Sequence, residues 1–270
     1  MDFTIITPSM NYGRFLGDCL ESVASQSGIT LEQLVFDAGS TDGSFEIASR
    51  FPHITWVQET DSGMSEAINK GFAKAKGDWV MWLNADDLIL PDALAKILSD
   101  LKTTNADVVY GDMRFINKDG QTIRRVNSAP WSMFAHVHHA CYVQSTAAFY
   151  RNKTVIAEGH RLREDFRYVM DGEFYARLAS AGKKFQHVSM EIASFRLHGE
   201  NASQRHLGKA LDMDSALAAE RQHIESRAIR RIYGFTLFSD PYLNGLADGC
   251  LWIAAGVWKK ILKLREKLLP

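Results

Sequence analysis

Strand-like and helix-like segments alternate four times in the first hundred residues, and no other feature limits the fold as strongly. Residues 3–7 (FTIIT) form a short apolar run, and residues 12–25 place Phe15, Leu16, Leu20 and Val23 on one helical stripe. Residues 34–36 read as a second strand closed by the turn cluster 37–43, after which Ser44 caps a helix running to about residue 51. A strand over 54–58, a helix over 65–75, a strand over 79–83 and a helix over 91–101, with Pro91 in its first turn, complete the series. Alternation of this kind predicts an α/β fold with a mostly parallel sheet covered on both faces. Past residue 105 the pattern changes. Residues 107–116 and 121–126 flank Asn-Lys-Asp-Gly at 117–120, a hairpin signal that adds antiparallel strands to the sheet. Residues 129–150 read as irregular, 171–181 as a helix and 185–195 as a strand, and from about 209 the chain is helical and increasingly basic. No repeat or low-complexity linker interrupts it. A catalytic domain over 1–205 and a helical C-terminal region over 206–270 follow from this division.

A chain of 270 residues with 46% hydrophobic content can bury a large core. Its 31 Lys and Arg against 32 Asp and Glu leave a net charge of −1, which gives no global field for nucleic acid and argues against a nucleic-acid partner. Cys19, Cys141 and Cys250 show no metal or redox spacing and read as free thiols in a reducing compartment. The opening apolar run lacks the basic flank and cleavage site of a secretory signal, which predicts a cytoplasmic chain. The longest apolar stretch, 249–258, ends at Lys259 and Lys260, short of the roughly 18 to 20 residues that span a bilayer.

Open parallel sheets bind ligands beyond the carboxyl ends of their strands, so the polar clusters that close these strands are the candidate site. Thr7, Pro8, Ser9 and Asn11 follow the first strand. Asp37, with Gly39 and Ser40, follows the second, where the carboxylate either shapes its own turn or accepts a hydrogen bond from a base N–H. Asn84, Ala85, Asp86 and Asp87 follow the fourth, and adjacent acids there call for a cation or a helix N-terminus to relieve their repulsion.

Read together, these clusters resemble glycosyltransferase family 2, whose catalytic domain has the GT-A fold, a Rossmann-like α/β architecture. The resemblance is carried by TPSMNYGRFL at 7–16, FDAGSTDGS at 36–44, ETDSGMSEAINKGFAKAKGD at 59–78, LNADD at 83–87, MDGEFYARL at 170–178 and FRLH at 195–198. It covers residues 1 to about 205. It implies that Asp37 reads the nucleotide base and that Thr7, Pro8, Ser9, Asn11, Gly39, Ser40, Asp61, Asn69 and Lys70 contribute to a nucleotide-sugar pocket. Residues 84–86 fall on the family's DxD motif, with Asn84 in place of its first Asp. The resemblance therefore implies Asp86 as the leading ligand of Mg2+ or Mn2+, Asp87 as second choice, and His198 near metal and diphosphate. It implies Asp171 as the base that activates the acceptor, with Glu173 as the competitor and Arg177 bracing the loop. A simple capping role for Asp171 is the structural alternative. His136, His138 and His139 have no Cys or acidic partner at zinc-ligand spacing and read as acceptor-loop residues beside Trp131, Phe134 and Tyr142. The implied activity is inverting transfer of a sugar from a nucleotide-sugar donor to a hydroxyl of a glycan or lipid-linked acceptor, in surface polysaccharide assembly. The alternatives are a sugar-nucleotide-binding protein without turnover and a sugar-phosphate nucleotidyltransferase; the latter should carry a Gly-rich basic loop after strand one, which 7–13 lacks.

In the tail, Leu246, Cys250, Leu251, Ala254, Trp258, Ile261, Leu262 and Leu268 recur at spacings of three and four. Lys259, Lys260, Lys263, Arg265 and Lys267 against Glu266 give this segment a local charge of +4. Such a helix either lies in the interface of the inner membrane face or packs on the catalytic domain or on a second subunit of a homo-oligomer.

Overall fold

The computed structural model describes residues 1–199, 201, 213–234 and 241–268. Its parallel half consists of β1 (Phe3–Ser9), β2 (Leu31–Asp37), β3 (Ile54–Gln58) and β4 (Trp79–Trp82), connected by α1 (Gly13–Ala24), α2 (Ser44–Ala48) and α3 (Met64–Lys74). Then come β5 (Leu88–Ile89), α4 (Ala93–Thr103), β6 (Val108–Asn117), β7 (Thr122–Val126), α5 (Met133–His138), β8 (Ala148–Arg151), α6 (Met170–Ser180), β9 (Phe185–Leu197), α7 (Met213–Tyr233) and α8 (Pro241–Leu268). The strands form one sheet in the order β3-β2-β1-β4-β8-β6-β9-β5, with β7 pairing beside β6. β8 runs antiparallel to both β4 and β6, while β6 and β9 are parallel. The expected parallel sheet with antiparallel additions is therefore the observed one.

β1 lies between β2 and β4, and alternation along it fills two cores. Ile6 joins Leu34, Phe36, Phe72, Val80 and Trp82 on one face, and Phe3 and Ile5 join Cys19, Val23, Trp79 and Met81 on the other. The register pairs Ser9 with Asp37 and Asp37 with Gln58, so three strands end side by side and their polar clusters emerge on one edge. Under that edge Trp82 stacks on Tyr150 with centroids 5.1 Å apart and planes at 5°, a contact worth about 0.5–1.5 kcal/mol beyond area burial.

Several expected boundaries differ. β2 begins at Leu31, three residues early, because its polar Gln33 is buried: the amide donates to Thr7 Oγ1 at 2.9 Å and its carbonyl pairs with His53 at 2.9 Å. Gly43, in the left-handed region at φ 85°, supplies the start of α2, and Asp42 holds Ser44. The 129–150 stretch contains α5 and β8, and β8 occupies the middle of the sheet; four residues carry too little periodicity to reveal a strand. Residues 202–212, where the proposed domain boundary falls, lie outside the described residues.

α8 is the helix expected of the tail, and it packs through one side. Its inward face turns Ala255, Lys259 and Lys263 to the protein: Lys259 lies over the Tyr142 ring, where burial pulls its amine down to about 8, and Lys263 donates to Asn127 O. Its outward face carries Ile253, Val257, Ile261 and Leu264, flanked by Trp252 and Trp258. Packing thus consumes part of the basic side and leaves an apolar side open. The side chains of Leu246, Cys250 and Leu268 lie outside the described residues.

Candidate active site

A cavity of about 340 Å³ opens at the carboxyl edge of the parallel strands. Pro8, Ser9 and Tyr12 line it from the end of β1, Ala38 from the end of β2, Asp61, Gly63 and Met64 from the approach to α3, and Asn84, Ala85 and Asp86 from the end of β4. Trp82, Ser145 and Asn201 contribute further, and Arg167, Tyr168, Met170 and Asp171 close it from the start of α6.

The first two strand-end loops are stitched together by backbone N–H groups. Asn11, left-handed at φ 58°, donates its N–H to Ser40 Oγ at 2.7 Å and accepts the Thr41 N–H at 2.9 Å; Gly13 donates to Asp42 Oδ2 at 2.7 Å. Asp37 is buried and spends its carboxylate on its own turn: it accepts the N–H groups of Gly39 and Ser40 at 3.0 and 2.7 Å and the Ser40 hydroxyl at 2.5 Å. Thr7, Asn11, Asp37, Gly39 and Ser40 therefore build the wall from behind, while Pro8, Ser9 and Ala38 face the cavity.

The acidic pair after β4 divides its work. Asp87 has no exposure. It accepts Arg196 N–H at 3.0 Å, Asn84 Nδ2 at 3.1 Å and Thr146 Oγ1 at 3.2 Å, and burial with the neighbouring Asp86 charge pushes its carboxyl well above the usual range. Asp86 faces the cavity and accepts Asn201 Nδ2 at 3.0 Å and His198 Nε2 at 2.9 Å. His198 stands behind Asp86, wedged against Phe15 with centroids 4.7 Å apart. Arg196, also buried, donates to Asp86 O at 3.0 Å and to Asp18 at 2.9 Å, which fixes this loop to β9 and α1. Asp87 and His198 thus support Asp86 and do not themselves reach the cavity, unlike the sequence expectation for both.

On the opposite side of the sequence, Val169 occupies the N-cap position of α6, so Asp171 is not the cap but a residue of the first turn. Its Oδ1 accepts the Gly172 N–H at 2.7 Å, which favours the charged form, yet desolvation is the larger effect and raises the carboxyl to about 6. Glu173 is fully buried and faces the other way, taking Arg177 Nε and Nη2 at 2.9 and 3.0 Å and the Tyr233 hydroxyl at 2.9 Å. The bracing role expected of Arg177 is this pair, and it removes Glu173 from contention as a base. Asn69 ties α3 to Leu162 and Glu164, and Lys70 pins Thr60 O at 2.8 Å while pairing with Glu66 at 3.1 Å; both stabilise loops outside the cavity. Burial raises the Asp61 carboxyl as well.

The three histidines face protein. His136 is buried and its Nε2 lies 2.8 Å from Gly172 O; a carbonyl only accepts, so this nitrogen carries the proton and holds the turn beside Asp171. His138 is buried, and His139 packs on Trp252. Trp131 and Tyr142 pack in the same region, with the Tyr142 hydroxyl 2.6 Å from Ser132 N. Sequence reasoning missed Arg167, Tyr168, Ser145 and Asn201. Asn201 is legible only as a polar residue shortly after FRLH, and the others follow no strand end in the parallel half.

Among the described residues, no three His, Cys, Asp or Glu side chains converge as a metal cage. The donor set nevertheless suits Mg2+ or Mn2+, which bind through one or two protein oxygens and rely on substrate phosphates for the rest. Asp86 supplies a cavity-facing carboxylate, and Asn84 carries a buried Oδ1 without a hydrogen-bond partner.

The fold and this site define a GT-A glycosyltransferase. Residues 4–158 match the family described as Glycosyl transferase family 2, and the chain belongs to that family. Family membership sets aside the nucleotidyltransferase alternative. Hyaluronan synthase of Pasteurella multocida is 27% identical over 214 residues, 76% of this chain; the chain spans 21% of the length of that relative. Among solved structures, Staphylococcus aureus TarS 1-349 in complex with UDP-GlcNAc aligns with a TM-score of 0.62 at 17% identity, covering 94% of this chain and 79% of that one. The mannosyltransferase PcManGT from Pyrobaculum calidifontis in complex with GDP-Man and Mn2+ aligns at 0.57 and 17% identity, covering 96% and 83%. At these identities the structural likeness speaks for the fold alone.

The two acids of α6 should separate in stability measurements. A carboxyl raised in the folded state contributes stability below its unfolded value and loses it as pH rises through the folded value of about 6. Asp171→Asn should therefore gain thermal stability relative to wild type between pH 4.5 and 8. Glu173→Gln should lose about 1–3 kcal/mol at pH 7 by weakening a buried hydrogen-bonded pair. Equal losses for both variants in thermal melts would contradict this division of roles.

Proposed function

We propose that the chain is an inverting, divalent-cation-dependent glycosyltransferase that moves a sugar from a nucleotide-sugar donor to a hydroxyl of a glycan or lipid-linked acceptor in surface polysaccharide assembly. The observation that carries this reading is the delivery of Asp86 and Asp171 to one cavity by two distant parts of the chain, with Asp171 raised to about 6. A carboxyl at that value is largely ionised at neutral pH and more basic than an ordinary carboxylate, as a general base should be. Asp171 takes the acceptor hydroxyl proton as that oxygen attacks the anomeric carbon. The bond from that carbon to the diphosphate oxygen breaks on the opposite face, inverting the centre through an oxocarbenium-like transition state.

Among the described residues, three carboxylates, Asp61, Asp86 and Asp171, and one guanidinium, Arg167, line the cavity. A diphosphate entering such an acidic space is repelled unless positive charge accompanies it. Asp86 and the Asn84 Oδ1 would hold Mg2+ or Mn2+, and His198 from behind and Asn201 from the cavity wall would orient Asp86. When bound, such a cation supplies positive charge to the departing diphosphate. The UDP-GlcNAc and GDP-Man/Mn2+ complexes of proteins with this fold support a nucleotide-sugar donor and a cation, and the hyaluronan synthase relative supports a polysaccharide product. In this reading Pro8, Ser9, Ala38 and Asp61 receive the nucleotide, and Asp37 keeps their wall in shape.

Turnover of a nucleotide-sugar panel should require Mg2+ or Mn2+, cease in excess EDTA, and fall by about 10²–10³-fold or more in Asp86→Ala. Donor binding without turnover by the wild-type chain under every condition would favour the binding-protein alternative.

The acceptor reading connects to α8. Among the described residues no helix is long and apolar enough to cross a membrane. The outward Ile253, Val257, Ile261 and Leu264 with flanking Trp252 and Trp258, and exposed Lys260 on the border, suit a helix lying in a bilayer interface. Because Lys259 and Lys263 face the protein, the apolar side should dominate over charge. The chain should co-sediment with anionic liposomes, with only moderate sensitivity to salt, and Ile253→Glu with Ile261→Glu should abolish pelleting while donor binding persists. No pelleting at low salt, or a dimer dispersed by the same substitutions, would assign this face to protein packing.

A further inference from the structure

The segment that carries Asp171 is capped by a side chain from another helix. α6 has no side-chain cap of its own at Val169. Instead the backbone N–H groups of Arg167, Tyr168 and Val169 all donate to the carboxylate of Glu225, at 3.0, 2.8 and 3.2 Å. Glu225 is 6% exposed, sits within α7 and is met by Arg221 Nε at 3.3 Å. A buried carboxylate that accepts three consecutive N–H groups on the approach to a helix fixes the path of that backbone, because charge-assisted hydrogen bonds are strong and removing the acceptor leaves all three donors without it.

The contact is one of three along a single face of α7. One turn on, Ile229 is buried against the first turn of α6, with its Cδ1 3.6 Å from the position a Cβ at Gly172 would take. One turn further, the Tyr233 hydroxyl donates to Glu173 Oε1 at 2.9 Å. Positions 225, 229 and 233 follow the four-residue spacing of a helical stripe. α7 lies beyond residues 4–158, where the family match ends. The segment it clamps supplies Arg167, Tyr168 and Asp171 to the cavity, and Arg167 Nη2 reaches across to Ser62 O at 3.1 Å on the facing wall.

We infer that Glu225 is a positioning residue for sugar transfer: through the N–H groups of residues 167–169 it sets the wall that presents Arg167, Tyr168 and Asp171 to the acceptor. This rests on the reading of Asp171 as the base. α7 is accordingly a working part of the active site, through its contacts with the segment that leads into α6 and with the first turn of α6.

The test compares Glu225→Ala and Glu225→Gln with wild type in the full chain, below the melting temperature of each variant. Donor affinity is measured by titration with the nucleotide sugar that supports turnover, in Mn2+, and kcat and acceptor KM by initial rates. Glu225→Ala should lower kcat by about 10–100-fold and raise acceptor KM, while donor Kd stays within twofold. Glu225→Gln retains a carbonyl acceptor for the Tyr168 and Val169 N–H groups and sets its amide nitrogen against the Arg167 N–H, so it should fold even where the alanine variant does not and recover part of the lost rate. Unchanged kcat and acceptor KM in Glu225→Ala, or loss of donor binding in parallel with turnover in folded Glu225→Gln, would overturn the inference. Asp171→Asn separates the two claims. If that variant is inactive and Glu225→Ala is fully active, only the positioning role fails; if Asp171→Asn keeps turnover, the base assignment itself is wrong.

Discussion

The buried Asp87 carboxylate joins the two halves of the sheet. It takes the Arg196 N–H from β9, the Asn84 amide from the end of β4 and the Thr146 hydroxyl from the turn before β8. Breaking any of these leaves a buried polar group unmatched, at a cost of about 1–3 kcal/mol each. Asp87 is anchored inward, and the turn at residues 85–86 directs its neighbour to the cavity. Asp86 therefore enters the cavity, with Asn201 and His198 holding one of its oxygens. Two adjacent acids that would repel each other in a free loop become one buried, fully hydrogen-bonded group and one that faces the cavity.

The second half of the site depends on burial of another kind. Asp171 stands in the first turn of α6, where backbone dipoles favour a charged carboxylate, yet its apolar setting outweighs them. His136 beneath Gly172 and Glu225 ahead of Val169 keep that turn in place, so the carboxyl stays in the cavity wall. In the function proposed above, the donor side belongs to the strands of the parallel half and the acceptor side to α6, held by α7.

The parallel half was legible because its strands are apolar runs bounded by turn residues, and because the polar clusters at their ends sit where a parallel sheet must bind. Asp86 and Asp171 could be picked out through family motifs. What those motifs could not separate was which residue of a cluster faces the cavity. Asp37, Asn69, Lys70 and Asp87 stand within motifs but turn to backbone or side-chain partners, and only three-dimensional packing decides that direction. β8 and β5 escaped because four and two residues carry no period. Glu225 escaped because its partner is a stretch of backbone 56 to 58 residues earlier. The amphipathic tail was legible as a helix, but which side packs was left open between membrane and protein: Lys259 covers the Tyr142 ring and Lys263 donates to Asn127 O while isoleucines look outward.

The most direct measurement is the pH dependence of kcat/KM for the acceptor at saturating donor and Mn2+. A base with a value of about 6 must be deprotonated to work, so kcat/KM should be flat above pH 7 and fall tenfold per unit below pH 6. Asp171→Asn should abolish the activity that shows this limb. A wild-type profile that stays level from pH 7 down to pH 5, or an Asp171→Asn variant that turns over with the same acid limb, would contradict the assignment of Asp171 as the base.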